Sequence, residues 1–255
     1  MVLNKGILFQ ALNVVAFVVT IIVNGLAGST TILNGVTSGE VSALYPTLVT
    51  PAGFTFAIWG IIYALLFVFV GYQVLPKSRD KPFMHQISIL FALSSLFNIS
   101  WLFLWHYDFI VYSLILMFAL LATLIFIYLR LNIGRATVSF KERLFVHLPF
   151  SVYLGWISIA TIANVSVALT AVGWNGFGIG ATTWAVAIIC VALLLSLVML
   201  TTRKDIAYSL VITWALVGIL VEQGGNETIG LVSGIGIMLI LAAVVVNIAI
   251  LRFKR

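Results

Sequence analysis

Residues 51–75 read PAGFTFAIWGIIYALLFVFVGYQVL, without a single Lys, Arg, Asp or Glu. A helix crossing the hydrocarbon core of a bilayer needs about 20 such residues. Pro51 suits the first turn of a helix, where a missing N–H has no bond to lose. The stretch reads as a membrane span, and the rest of the chain agrees. Of 255 residues, 63% are hydrophobic and 8% charged, with a mean hydropathy of +1.22. A soluble domain is about half apolar and a quarter charged, and no water-soluble fold of this length hides so much apolar surface. Soluble enzymes, nucleic-acid binders and disordered chains are excluded together.

Seven further apolar runs give an all-α integral membrane protein of eight transmembrane helices: 7–27, 52–75, 84–105, 109–131, 145–171, 181–202, 206–222 and 229–251. The longest connection, 28–51, holds the turn formers Gly28, Asn34, Gly35, Gly39, Pro46 and Pro51. The run from Ile7 to Ala27 is longer than a signal-peptide core and reads as a retained helix. All 13 Lys and Arg residues fall on one side of this arrangement. The positive-inside rule makes that side cytoplasmic, with both termini there. Glu40, Asp108, Glu222 and Glu227 fall on the other side. The net charge of +6 is thereby accounted for without nucleic acid as a partner, and anionic membrane lipid is the expected one. The N-terminus is not Arg-rich, so a prokaryotic cytoplasmic membrane is the expected location. The lone Cys190 lies in an apolar run and forms no internal disulfide.

No Lys, Arg, Asp or Glu sits at the middle of a predicted span. Intramembrane charges mark proton relays, ion paths and retinal sites, so a rhodopsin and a carboxylate-driven transporter lack their central residue. Glu222, at the end of the seventh span, reads as interfacial. His85 and His147 lie at helix ends and His106 in the turn before Asp108. They read as interfacial, with axial ligation of haem iron by the first two as the other reading. Glycines 176, 178 and 180 form a GxGxG string with no strand before it, so the nucleotide reading fails.

What remains inside the spans is amides and indoles at regular spacing. Ser94, Asn98, Trp101 and Trp105 recur every 3–4 residues and lie within about 60° of one another on a helix. Tyr153, Trp156, Ala160 and Asn164 share a face in the same way, and Phe56, Trp59, Gly60, Tyr63 and Phe67 make a third stripe. Packing between helices is one reading, since Asn bonds across helices in lipid and small residues permit close approach. A cavity is the other. Trp59, Trp101 and Trp156 lie within spans rather than at the ends, and flat rings beside an amide suit a flat apolar ligand with polar edges. Connection 28–51 would then be a lid. Gly230 and Gly234 form a GxxxG, followed by Gly236, that serves packing within the chain or in a homodimer.

At these residues the sequence resembles the translocator protein family, also called tryptophan-rich sensory proteins. Pro51-Ala-Gly-Phe54-Thr-Phe56-Ala-Ile-Trp59-Gly-Ile-Ile-Tyr63 is similar to the family's Pro-x-x-Trp-x-Phe-x-x-x-Trp-x-x-Leu-Tyr. Asn98-Ile-Ser-Trp101 is similar to its Asn-x-x-Trp. Tyr153-Leu-Gly-Trp156-Ile-Ser-Ile-Ala160-Thr-Ile-Ala-Asn164 is similar to its Tyr-Leu-x-Trp-x-x-Phe-Ala-x-x-Leu-Asn. Phe54 stands in place of the first signature Trp, and Ile159 in place of a Phe. The resemblance covers residues 7–171. It implies a five-helix ligand-binding bundle over 1–175, with 176–255 as a three-helix extension. It implies a receptor for porphyrin, haem or another flat lipophile (a sterol-like molecule or a lipid) as ligand rather than obligatory cofactor. Phe56, Trp59, Tyr63, Asn98, Trp101, Tyr153, Trp156, Ala160 and Asn164 would line its cavity, Trp59 stacking on the ligand and Asn98 giving an amide hydrogen bond. Porphyrin photodegradation is the one enzyme-like reading. A secondary transporter of a neutral or amphipathic solute and a structural subunit of a membrane complex are the alternatives.

Overall fold

The computed structural model of the chain describes residues 5–253, with their side chains apart from positions 5, 29 and 251–253. These residues form helices and no strands. In chain order they are α1 (Lys5–Ser29), α2 (Ser38–Leu44), α3 (Ile58–Gln73), α4 (Pro82–Ile87), α5 (Leu90–His106), α6 (Ile110–Arg130), α7 (Phe140–Glu142), α8 (Leu148–Ala171), α9 (Ala181–Arg203), α10 (Ile206–Glu222) and α11 (Glu227–Phe253). Six helical stretches are long and apolar enough to cross a membrane, and α5 and α10 are apolar but shorter, at 17 residues each. The chain is a multi-pass membrane protein. The basic side chains of Lys5, Arg252, Lys254 and Arg255 lie outside the described residues.

Four elements depart from the sequence reading. The second span opens as a 3-10 turn, Gly53–Ala57, before α3 begins. The third is broken at Ser88, whose φ of 49° separates α4 from α5 with neither Gly nor Pro to mark the place. The fifth begins earlier, at Phe140, and passes through a π-helical segment, Arg143–His147. There Pro149 has no N–H to return to the carbonyl of Phe145, which loosens the turn. Connection 28–51, read as turns throughout, contains α2.

That short helix starts in a capping box. Thr37 Oγ1 accepts from the Glu40 amide at 3.3 Å, and Glu40 Oε2 accepts from the Thr37 amide at 2.7 Å. The backbone and hydroxyl hydrogen bonds of Thr37 hold the Glu40 carboxyl below its ordinary value of 4.5. A folded-state pKa below the unfolded one gives stability that is complete above the unfolded value and lost as pH falls through the folded one. Amide exchange over residues 38–44, corrected for intrinsic rates, is therefore expected to accelerate on acidification through that range. Glu40→Ala should bring the faster exchange at neutral pH and abolish its pH dependence.

Helix α8 is the hub. Of its apolar stretch 67% is buried, against 28–39% in the other five, so it is apolar on all sides and enclosed by its neighbours. Helix α10 is fixed to the hub and its surroundings at three levels. At one end, α9 stops at Lys204, in the left-handed region with φ 55°. The amides of Lys204 and Asp205 return to the carbonyls of Leu200 and Met199. Asp205 then caps α10 through the Tyr208 amide at 3.1 Å. Its buried carboxylate also accepts from Ser151 Oγ at 2.5 and 2.6 Å and from the Tyr128 hydroxyl at 2.8 Å. At mid-height, a Cβ added to Gly155 would touch the Val211 side chain and the Tyr208 backbone. At the far end, the Ala52 amide donates to the Gly218 carbonyl at 3.0 Å, and Trp214 Nε1 donates to the Thr55 carbonyl at 2.9 Å. Gln223 Nε2 donates to the Thr47 carbonyl at 3.3 Å. Gly230 and Gly236 pack against Leu220 and Leu216 of α10, while Gly234 meets no neighbour.

The connections carrying the described basic residues share one end. Arg135 Nε reaches the Thr202 carbonyl, Arg203 reaches Asn132 Oδ1, and the Tyr72 ring packs on Phe145. At the opposite end lie α2, the 3-10 turn and the connection from α8 to α9.

Candidate functional site

Near that opposite end, α1, the 3-10 turn with α3, α5 and α8 enclose a cavity of about 630 Å³ roofed by α2. Ligand sites run to about 300–1,000 Å³. Phe56, Trp59, Tyr63, Trp101, Trp156, Ala160 and Asn164 line it. Their i, i+4 spacing places one ring above the next on each helix. Trp59 stacks on Tyr63, with centroids 5.4 Å apart and planes at 17°, and Trp101 stacks on Trp105 at 5.7 Å and 26°. Trp156 meets Trp59 edge-on at 6.3 Å and Phe56 at 6.1 Å. Part of each stripe thus joins one cage of rings, while Phe67 of the third stripe is exposed on the outside.

Asn98 and Tyr153 do not line the cavity. Asn98 is fully buried, and its carbonyl oxygen accepts from Asn24 Nδ2 at 2.7 Å. Asn24, on α1, faces the cavity in its place. Tyr153 stands behind Trp59 with its ring edge-on at 6.1 Å. Asn164 reaches the cavity with its carbonyl oxygen engaged by Trp101 Nε1 at 3.0 Å, and its own amide approaches Ser113 Oγ at 3.4 Å. Two donors are left over. Trp156 and Tyr63 line the cavity, and their Nε1 and hydroxyl, buried just beneath its surface, have no hydrogen-bond partner among the described residues. Leaving a buried donor unmade costs about 1–3 kcal/mol, a deficit that a ligand acceptor would remove once either side chain turns toward the cavity. Among the described residues, no charged side chain lines this space. Its chemistry suits a flat apolar body with acceptor groups at its edge.

The roof is latched to the end of α5. Trp105 Nε1 donates to the Ser38 carbonyl at 3.2 Å, and Asn34 Nδ2 to the His106 carbonyl at 2.8 Å. His106, read as interfacial, is buried: Nδ1 faces the Leu102 carbonyl at 2.8 Å and Nε2 the Ser38 hydroxyl at 3.3 Å. His147 is buried too, and His85 is exposed. None of the three lines the cavity. The Tyr45 hydroxyl donates to Asp108 Oδ1 at 2.6 Å, a bond that raises the Tyr45 pKa.

Sequence reasoning missed the wall from α1, where Ile21, Asn24, Gly25 and Gly28 contribute, and the roof residues Thr37, Ser38 and Ser42. Asn24 was findable as an amide in an otherwise apolar run. It also missed the hold of α10 on the mouth of the cavity. Thr55, whose carbonyl takes the Trp214 hydrogen bond, directly precedes Phe56, and Phe54 packs edge-on against Trp214 at 5.4 Å.

A family model described as TSPO-like protein matches residues 10–249 of this chain. The match runs past residue 171 and through α9, α10 and most of α11, so the family pattern extends beyond the first five spans. Comparison with curated proteins and with solved structures gives no significant match.

Proposed function

We propose, for a chain that belongs to the TSPO-like protein family, a receptor or sensor function in which a flat lipophilic ligand of the porphyrin type occupies the ring-lined cavity. The observation that carries this reading is the cage of Trp59, Trp101, Trp105 and Trp156 around two buried donors without partners. The ligand stacks against Trp59, and its acceptor edge takes the Trp156 N–H and the Tyr63 hydroxyl as the two side chains turn toward it. Connection 30–50, latched through Ser38 and Asn34, acts as the lid. All eight long helices cross the bilayer, with the basic end cytoplasmic. Occupancy reaches the C-terminal helices through Thr55 and Trp214, which gives a sensor a route to its output.

Titration of the detergent-purified protein with protoporphyrin IX, read by tryptophan fluorescence, tests this. Saturable quenching is expected. Trp59→Phe should weaken binding roughly 2- to 13-fold, the worth of one ring contact. Asn24→Ala should weaken it in the same direction, with a lower melting midpoint as well, since it strands the buried Asn98 side-chain carbonyl, whereas Trp59→Phe should leave the protein folded. Quenching without saturation, or indifferent to both substitutions, would leave the rings as packing alone.

A further inference from the structure

A second cavity, of about 590 Å³, lies on the other side of α8, between α8 and α9 and beneath residues 46–49. It shares no lining residue with the first. Its deepest residues, Val165 and Ile188, lie six and seven positions inside the ends of α8 and α9. At 1.5 Å per residue that is about 10 Å below the helix ends. The deep part is apolar, because Ser166 and Thr170 turn their hydroxyls to carbonyls of their own helix.

The rim is polar and firmly built. Trp184 Nε1 donates to the Gly176 carbonyl at 3.0 Å, and a Cβ on Gly176 would crowd that same nitrogen at 3.2 Å. Gly176 also has φ 67°, so a side chain there is doubly disfavoured. Asn175 Oδ1 accepts from the Phe177 amide at 3.0 Å, and Gln223 Nε2 gives one of its two N–H groups to the Thr47 carbonyl. That leaves the Asn175 NH₂ and one Gln223 N–H as donors and the Gln223 side-chain carbonyl as an acceptor, with the Asn175 NH₂ and that carbonyl bonded to no described residue. A hydroxyl both donates and accepts, and matches this pair. Among the described residues no charged one lines the cavity, so a phosphate or carboxylate headgroup would enter without a counter-charge.

We propose that this cavity binds an uncharged, hydroxyl-bearing single-chain amphiphile. Its head sits between Asn175 and Gln223, and its chain runs down between α8 and α9. The Trp174 and Trp184 rings, 5.2 Å apart, flank it where the aromatic belt of a membrane protein meets the headgroups. This site is independent of the porphyrin reading.

A monoacylglycerol carrying a diazirine in its acyl chain is the probe, with the protein in phosphatidylcholine nanodiscs and labelled residues mapped by mass spectrometry. Labelling should saturate over residues 165–170 and 184–188. Unlabelled monoolein should compete, whereas oleate and lysophosphatidylglycerol should not. Thr170→Trp, an exposed lining position, should remove the saturable labelling while leaving protoporphyrin quenching unchanged. Asn175→Ala, in an exposed turn, should raise the half-saturating concentration about five- to tenfold, as for one lost hydrogen bond. Labelling that never saturates and follows lipid exposure over α9 and α11 would overturn the site. So would indifference to both substitutions. Equal competition by the two anions would overturn the uncharged headgroup.

Discussion

Replacing Gly218 by Val is expected to lower the melting midpoint of the purified protein by roughly 6–20 °C, at about 2–4 °C per kcal/mol for a chain of this size. A Cβ at this position falls on the Thr55 hydroxyl and close to the Pro51 ring. Overpacking of that kind costs about 1–3 kcal/mol. It also pushes α10 away from the 3-10 turn, weakening the Ala52–Gly218 and Trp214–Thr55 hydrogen bonds, each worth about 1 kcal/mol. Porphyrin affinity should fall as well, because the displaced turn carries Phe56. Gly218→Ala should show a smaller loss, largely reversed by adding Thr55→Ala, which deletes the colliding hydroxyl. That coupling separates a local collision from general fragility. Midpoints unchanged in the Val variant would mean that α10 does not rest on the turn.

The second large effect is expected at Asp205. Asp205→Ala strands the Ser151 and Tyr128 hydroxyls and the Tyr208 amide together, all three inside the protein. A loss of about 3–5 kcal/mol follows from unmade buried bonds and a lost helix cap. Asp205→Asn keeps the shape and an acceptor oxygen and should cost less, since hydroxyls can rotate to accept from its amide. Ser151→Ala and Tyr128→Phe should each cost about 1 kcal/mol. The same melts, compared across the four variants, check the ranking. Equal losses in all four would refute a network centred on the carboxylate.

Both sites show where a single sequence stops being informative. The apolar runs gave the helices to within a few residues, because about 20 uncharged residues in lipid have few alternatives to a helix. Ring spacing along α3, α5 and α8 foretold which side chains share a face, since a helix fixes that angle. It left open which amide faces the cavity. Asn24 and Asn98 are 74 positions apart and bonded to each other, and only the packing of α1 on α5 decides which of them is inside. Asp205 sits after Arg203 and Lys204 at a predicted helix end, where a charge reads as exposed. Its burial depends on Ser151 and Tyr128, which lie 54 and 77 positions away. Gly218 looks like any glycine in an apolar helix until Thr55 is seen against it. Helix α2 is different: Thr37 and Glu40 have capping-box spacing, and the signal was present in a stretch whose glycines and prolines suggested turns alone.

The most direct test of the central claim is the amount of protoporphyrin IX retained by the protein in nanodiscs after gel filtration, read from its Soret band and corrected for empty discs. The wild type is expected to retain a single porphyrin per chain. Ala160→Trp, which fills the cavity from the α8 wall, is expected to retain none while keeping the wild-type melt. Equal retention by the two proteins, or none above empty discs by either, would contradict the account.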